Sequence, residues 1–159
     1  MRRGDLEKFV GDLAGPVERF TREAGTRLVL LINESGQVLA QRGFARALDV
    51  MGVAALGAGI HASSRAIARL LGQRGFHHLH QGGGRDQVFI GSFATPAEEL
   101  ILVAVFGDDS SIGLVRVFFD TLMQEVAGLP GWRETRPTAD AAAFEKDLEA
   151  GLDHFFGSR

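Results

Sequence analysis

The sequence predicts an α/β protein of the α+β kind, a five-stranded antiparallel sheet in the order helix, strand, strand, helix, strand, strand, strand, helix, followed by one added helix. Three observations carry that expectation. Two apolar runs, RLVLLI at residues 27–32 and ELILVAVF at 99–106, are strand-sized and continuous, which is the pattern of strands covered on both faces. Four longer stretches repeat their apolar residues at steps of three and four, the spacing of one helix face. The strands follow one another through short turns such as Asn33-Glu34-Ser35-Gly36, and connections this tight join antiparallel neighbours.

The first helix is expected over residues 5–24, with Leu6, Phe9, Val10, Leu13, Val17 and Phe20 as its apolar stripe. Gly15-Pro16 predicts a kink or short break, because proline lacks an N–H and clashes with the preceding turn. Gly25 stops the helix, residues 27–32 form the first strand, and residues 37–41 return after the turn. Residues 42–47 are a loop, and Asp49 is placed to cap the second helix. That helix, VMGVAALGAGIHASSRAIARLL at 50–71, organises the chain and ends at Gly72. Val53, Leu56, Ile60, Ile67 and Leu71 are expected to form its core face. The opposite face carries Ala55, Ala58, Gly59, Ala62 and Ala66 where a hydrated helix would carry charge, and no charged residue occurs from 50 to 64. A chain of 159 residues is too short to wrap this helix, so burial against a second subunit or another protein is expected. Strands follow at 76–81, 87–93 and 99–106, the last the most apolar and hence central. In the middle one Val88, Ile90 and Ser92 share one face, and Phe89, Gly91 and Phe93 share the other. Residues 107–111 offer a hydroxyl or carboxylate cap for a helix at 112–127, whose core side is Val115, Phe118, Phe119, Leu122 and Val126. One domain therefore covers residues 5–128, residues 129–139 with Pro130 and Pro137 read as a linker, and 140–157 as a C-terminal helix.

Composition narrows the function. The net charge of −3 gives no electrostatic ground for nucleic acid or an anionic membrane. The absence of cysteine rules out disulfides and thiolate metal sites and fits a reducing, cytoplasmic setting. The N-terminus has basic residues but no long apolar run after them, so no secretory signal is expected. The dense apolar run 100–106 is far too short to span a bilayer.

No catalytic signature appears. The phosphate-cradling, nucleophile-elbow and zinc-protease motifs are all missing. Gly82-Gly83-Gly84 does not open a helix and reads as a hairpin turn. In His77-His78-Leu79-His80 the second and fourth residues share a strand face and could ligate a metal, but no third ligand is spaced to join them. An edge strand with polar side chains explains them, and no metal or cofactor is expected. Asp108 and Asp109 fit helix capping. Arg65, Arg69, Arg85 and Arg116 are possible arginine fingers for a partner's nucleotide, with solvated surface positions as the alternative.

Four segments carry a family resemblance: residues 28–36 (LVLLINESG), 56–72 (LGAGIHASSRAIARLLG), 106–116 (FGDDSSIGLVR) and 143–156. Their order and spacing resemble the roadblock (dynein light-chain-like) family, and more narrowly its MglB-type branch of bacterial polarity and gliding regulators. His61, Ser64 and the Gly15-Pro16 pair depart from that pattern. The resemblance implies the roadblock fold, with helices on both sides of the sheet, and a homodimer in which second helices pack together and third strands pair. It implies a non-catalytic activator of a Ras-like small GTPase of MglA type, two protomers per GTPase, or alternatively a scaffold that holds a GTPase or complex without changing turnover. By the same resemblance Ala58, Ala62, Arg65, Ala66 and Arg69 face the GTPase. Ala55, Gly59, Phe76, His78 and His80 belong to the subunit interface, and Phe144, Leu148, Leu152 and Phe155 form the contact stripe of the C-terminal helix.

Overall fold

The computed structural model describes residues 3–43 and 49–133. The elements run α1 (Arg3–Ala24), β1 (Leu28–Asn33), β2 (Val38–Gly43), α2 (Val50–Leu70), β3 (His78–Gly82), β4 (Gln87–Ala94), β5 (Glu99–Phe106) and α3 (Ile112–Ala127), then a 3-10 turn at Pro130–Arg133. The five strands form one antiparallel sheet in the order β2-β1-β5-β4-β3. The expected α+β architecture is therefore present, with β5 central and β3 at an edge.

The sheet separates two apolar layers. The alternation along β1 sends Val29 and Leu31 toward α1 and α3, and Leu28, Leu30 and Ile32 toward α2. Strand β5 divides in the same way, which is why both strands read as unbroken apolar runs. On the first face α1 contributes Phe9, Leu13, Val17 and Phe20, and α3 contributes Val115, Phe119, Leu122 and Val126. On the second face α2 is the one described helix, and it lies over Ile90, Ile101, Val103 and Val105.

Helix α1 runs through Pro16 as one helix, so of the expected kink or break the break does not occur. Proline inside a helix costs about 3 kcal/mol. Here buried side chains on both sides of it, Phe9 and Leu13 before and Val17 and Phe20 after, hold the two halves to one surface. Val10 is exposed and drops out of the stripe.

The helix ends follow their caps. Asp49 accepts from the Gly52 N–H at 3.1 Å, and Ser111 accepts from the Leu114 N–H at 3.2 Å. Gly72 closes α2 at φ 71°, while the Gln73 N–H reaches back to the Ala68 carbonyl at 2.8 Å. The turn after β1 is tied by Asn33, whose Oδ1 accepts from the Gln37 N–H at 3.0 Å and from the Ser35 hydroxyl at 2.7 Å.

Residues 129–133 are not a free linker, as the sequence suggested. Trp132 is only 2% exposed and meets Phe9 edge-on, with ring centroids 4.3 Å apart. Its indole N–H donates to the Val126 carbonyl, so the 3-10 turn folds back onto the core. The expected C-terminal helix at 140–157, with Phe144, Leu148, Leu152 and Phe155, lies outside the described residues, as do most of the 42–47 loop and the rest of the linker.

Candidate functional site

The surface that stands apart is the outer side of α2 together with the neighbouring sheet edge. The residues of α2 that face the sheet are Ala54, Gly57, Ala58, His61 and Ala68. Small residues on that side let the helix sit close. A Cβ added at Gly57 would meet the Val103 side chain at 2.9 Å, and one at Gly36 in the β1–β2 turn would meet the Ala55 Cα at 3.4 Å.

The consequence reverses the expected helix orientation. The large apolar residues assigned to the core point outward: Leu56 is 69% exposed, Ile67 51% and Leu71 63%. Val53 and Ile60 lie at the margin of the core, half-buried. With Phe76 (40% exposed) and Leu79, the residues Leu56, Gly59, Ile60 and Ile67 line an apolar groove of about 500 Å³ between α2 and β3. Contiguous exposed apolar surface of this kind marks an interaction site. By length and composition α2 is also the one described helix apolar enough to cross a bilayer, but here its small-residue face is packed on the sheet.

The residues expected to meet a GTPase divide. Ala62, Ala66 and Arg69 are exposed. Ala58 is not: at 7% exposure it belongs to the core beneath α2, which corrects its placement at a partner surface. Arg65 is turned back onto its own chain, bonded to Glu34 at 3.0 Å and to Glu99. Two carboxylates, one from the β1–β2 turn and one from the start of β5, draw the guanidinium in and fix it beside the helix.

The residues expected at the subunit interface also divide. Ala55, Gly59 and Phe76 are exposed and line the groove. His78 and His80 turn to the other sheet face, stacked on Phe89 and Phe106 with centroids 5.6 Å and 6.0 Å apart. His80 Nε2 lies 2.8 Å from the Gln87 amide oxygen. Leu79 and Gln81, which alternate with them, are the β3 residues that reach the groove, as strand alternation requires. His78 shares a polar cleft with Arg116 and Asp120 of α3. Its pKa is lowered from 6.5, first by burial and then by the positive charge of Arg116, with smaller contributions from His77 and His80 against an opposing one from Asp120.

Sequence reasoning missed one constellation. Glu34, His61 and Glu99 bring their ligand-type atoms within 4.8 Å of one another. They come from a turn, a helix and a strand, so no local spacing in the sequence announces them. The signal available was a histidine in a run of small residues.

Comparison with known proteins places this architecture. Residues 16–106 match the Roadblock/LC7 domain. No match is found among curated proteins. Among solved structures, MglB of Myxococcus xanthus is 25% identical at a TM-score of 0.64, covering 76% of this chain and 92% of its own. The gliding protein MglB of Thermus thermophilus is 28% identical at 0.63, covering 80% and 91%. An MglB described in a tetrameric arrangement is 27% identical at 0.64, covering 80% and 90%. The matched segment spans more than half the chain, from within α1 through β5, and the chain belongs to the Roadblock/LC7 family.

Proposed function

We propose that this chain is a homodimeric, non-catalytic regulator that binds a Ras-like small GTPase of MglA type and stimulates its GTP hydrolysis. It acts in the cytoplasm, in bacterial polarity or gliding. The observation that carries the reading is the outward apolar face of α2 beside the β3 edge, with Leu56, Ile67 and Phe76 exposed around one groove. Among the described residues of one protomer nothing covers that surface. A second copy would cover the groove and pair its own β3 with this one, extending the sheet across the two subunits. The similarity to MglB proteins, one of them described as a gliding protein and one in a tetrameric arrangement, supports both assembly and role. Ala62, Ala66 and Arg69 lie outside the groove lining and remain available to a partner, two protomers presenting one platform per GTPase.

The test is single-turnover GTP hydrolysis by the Ras-like GTPase encoded nearest this gene, with and without the purified chain. Faster hydrolysis supports the reading. Binding with unchanged turnover would make the protein a scaffold, and absence of binding would reject the GTPase partner.

A further inference from the structure

We propose that Glu34, His61 and Glu99 form a binding site for a divalent transition-metal ion, with Zn²⁺ the fitting species, which exchanges with the guanidinium of Arg65. The proposal stands on this cluster alone and is independent of the GTPase reading.

Three elements converge there: the β1–β2 turn, the sheet-facing side of α2 and the first residue of β5. The His61 side chain is 10% exposed, and its Nε2 has no hydrogen-bond partner among the described residues. A buried nitrogen left unbonded is costly and calls for a partner. Glu99 Oε1 lies 3.5 Å from His61 Nε2, beyond good hydrogen-bond geometry.

Charge favours the same conclusion. Glu34 and Glu99 bring two negative charges, and Arg65 supplies only one positive charge between them. Arg65 also leaves Nε2 unsatisfied, because its bonds go to the two carboxylates. A divalent ion neutralises both carboxylates and accepts the imidazole lone pair at once. The mixed nitrogen and oxygen set suits Zn²⁺ rather than Mg²⁺ or Ca²⁺, which take oxygen ligands. Zinc bonds of about 2.1 Å to nitrogen and oxygen require the donors to draw closer than they now stand. Glu34 is exposed on a turn and Glu99 is half-buried, so side-chain rotation can supply that closure. The exposed side of the cluster leaves the fourth position to water.

The experiment is isothermal titration of the chelator-stripped full chain with ZnCl₂. We expect one ion per chain, with affinity weakened by at least about 10-fold in His61→Ala and in Glu99→Gln. Arg65→Gln, which removes the competing cation, should bind several times more tightly. A His78→Ala/His80→Ala double variant should bind as the unaltered chain does. Circular dichroism checks each variant's fold. If His61→Ala fails to fold, Glu99→Gln and the visible spectrum of the Co²⁺-loaded unaltered chain decide. Binding weaker than about 1 mM would overturn the site. So would binding that survives Glu99→Gln, or binding lost in the β3 histidine variant. An Arg65→Gln affinity equal to that of the unaltered chain would reject the exchange.

Discussion

At the residue scale, two glycines on one helix carry opposite constraints. Alanine at Gly57 gains about 1 kcal/mol of helix propensity. Its Cβ would nevertheless press on Val103 at 2.9 Å, and overpacking a close helix-on-sheet contact costs about 1–3 kcal/mol. Gly57→Ala should therefore lower the melting temperature. A Cβ at Gly59 meets nothing within 4 Å, so Gly59→Ala should stabilise the separated protomer. If Gly59 lies in the subunit contact, the same change weakens dimerisation, and sedimentation at several concentrations separates the two effects. His78 gives a pH prediction. Its folded pKa lies below the ordinary 6.5, so the unfolded chain binds the proton more readily in that interval. Its contribution to stability is present above 6.5 and is lost as pH falls toward and through the folded pKa. Arg116→Gln should raise the His78 pKa, read by imidazole NMR, but leave it below 6.5 because burial is the larger cause. An unmoved titration would remove Arg116 from the account. Neither glycine could be ranked from sequence, since Gly57 and Gly59 sit in the same small-residue run and only Val103 across the sheet tells them apart.

At the element scale, strands were more legible than helix faces. The bounds of β5 and α3 follow from an unbroken apolar run and from a clear stripe with a serine cap, and both elements appear where those signals place them. The core face of α2 was misread. Large apolar residues usually mark the buried side, and here Leu56 and Ile67 face out while Ala54, Gly57 and Ala68 face the sheet. Nothing local distinguishes the two, because the deciding quantity is how closely the sheet admits a helix. The 129–139 stretch was misread in part for the same kind of reason. Its prolines signal a linker, yet Trp132 reaches Phe9 on an element more than a hundred residues earlier. Trp132→Ala should therefore cost about 3–5 kcal/mol, the range for emptying a large aromatic site, and denaturant unfolding measures it. Deleting residues 139–159 should leave that stability nearly unchanged, because among the described residues the core runs through Trp132. A large loss on deletion would show that the tail packs on the domain.

At the scale of the whole molecule, α2 has two outward surfaces, and they must be assigned separately. The groove side, with Leu56 and Ile67, borders the β3 edge; Ala62 and Ala66 do not line it. Leu56→Asp with Ile67→Asp places charge on the groove without disturbing the buried face, and the variant should sediment as a folded monomer. Ala62→Arg with Ala66→Arg tests the other surface. Both alanines are exposed, one turn apart, so two arginines fit on the free protomer without touching the core. Small side chains at these positions allow a partner to approach the helix backbone, and long cations would hold it away. Burying an unpaired charge costs several kcal/mol, against about 8 kcal/mol for an entire micromolar complex. The double-arginine variant should accordingly remain a dimer, keep its melting temperature, and neither bind nor stimulate the GTPase. A monomer would move Ala62 and Ala66 into the subunit contact, and unchanged stimulation would exclude this face of α2 from the partner altogether.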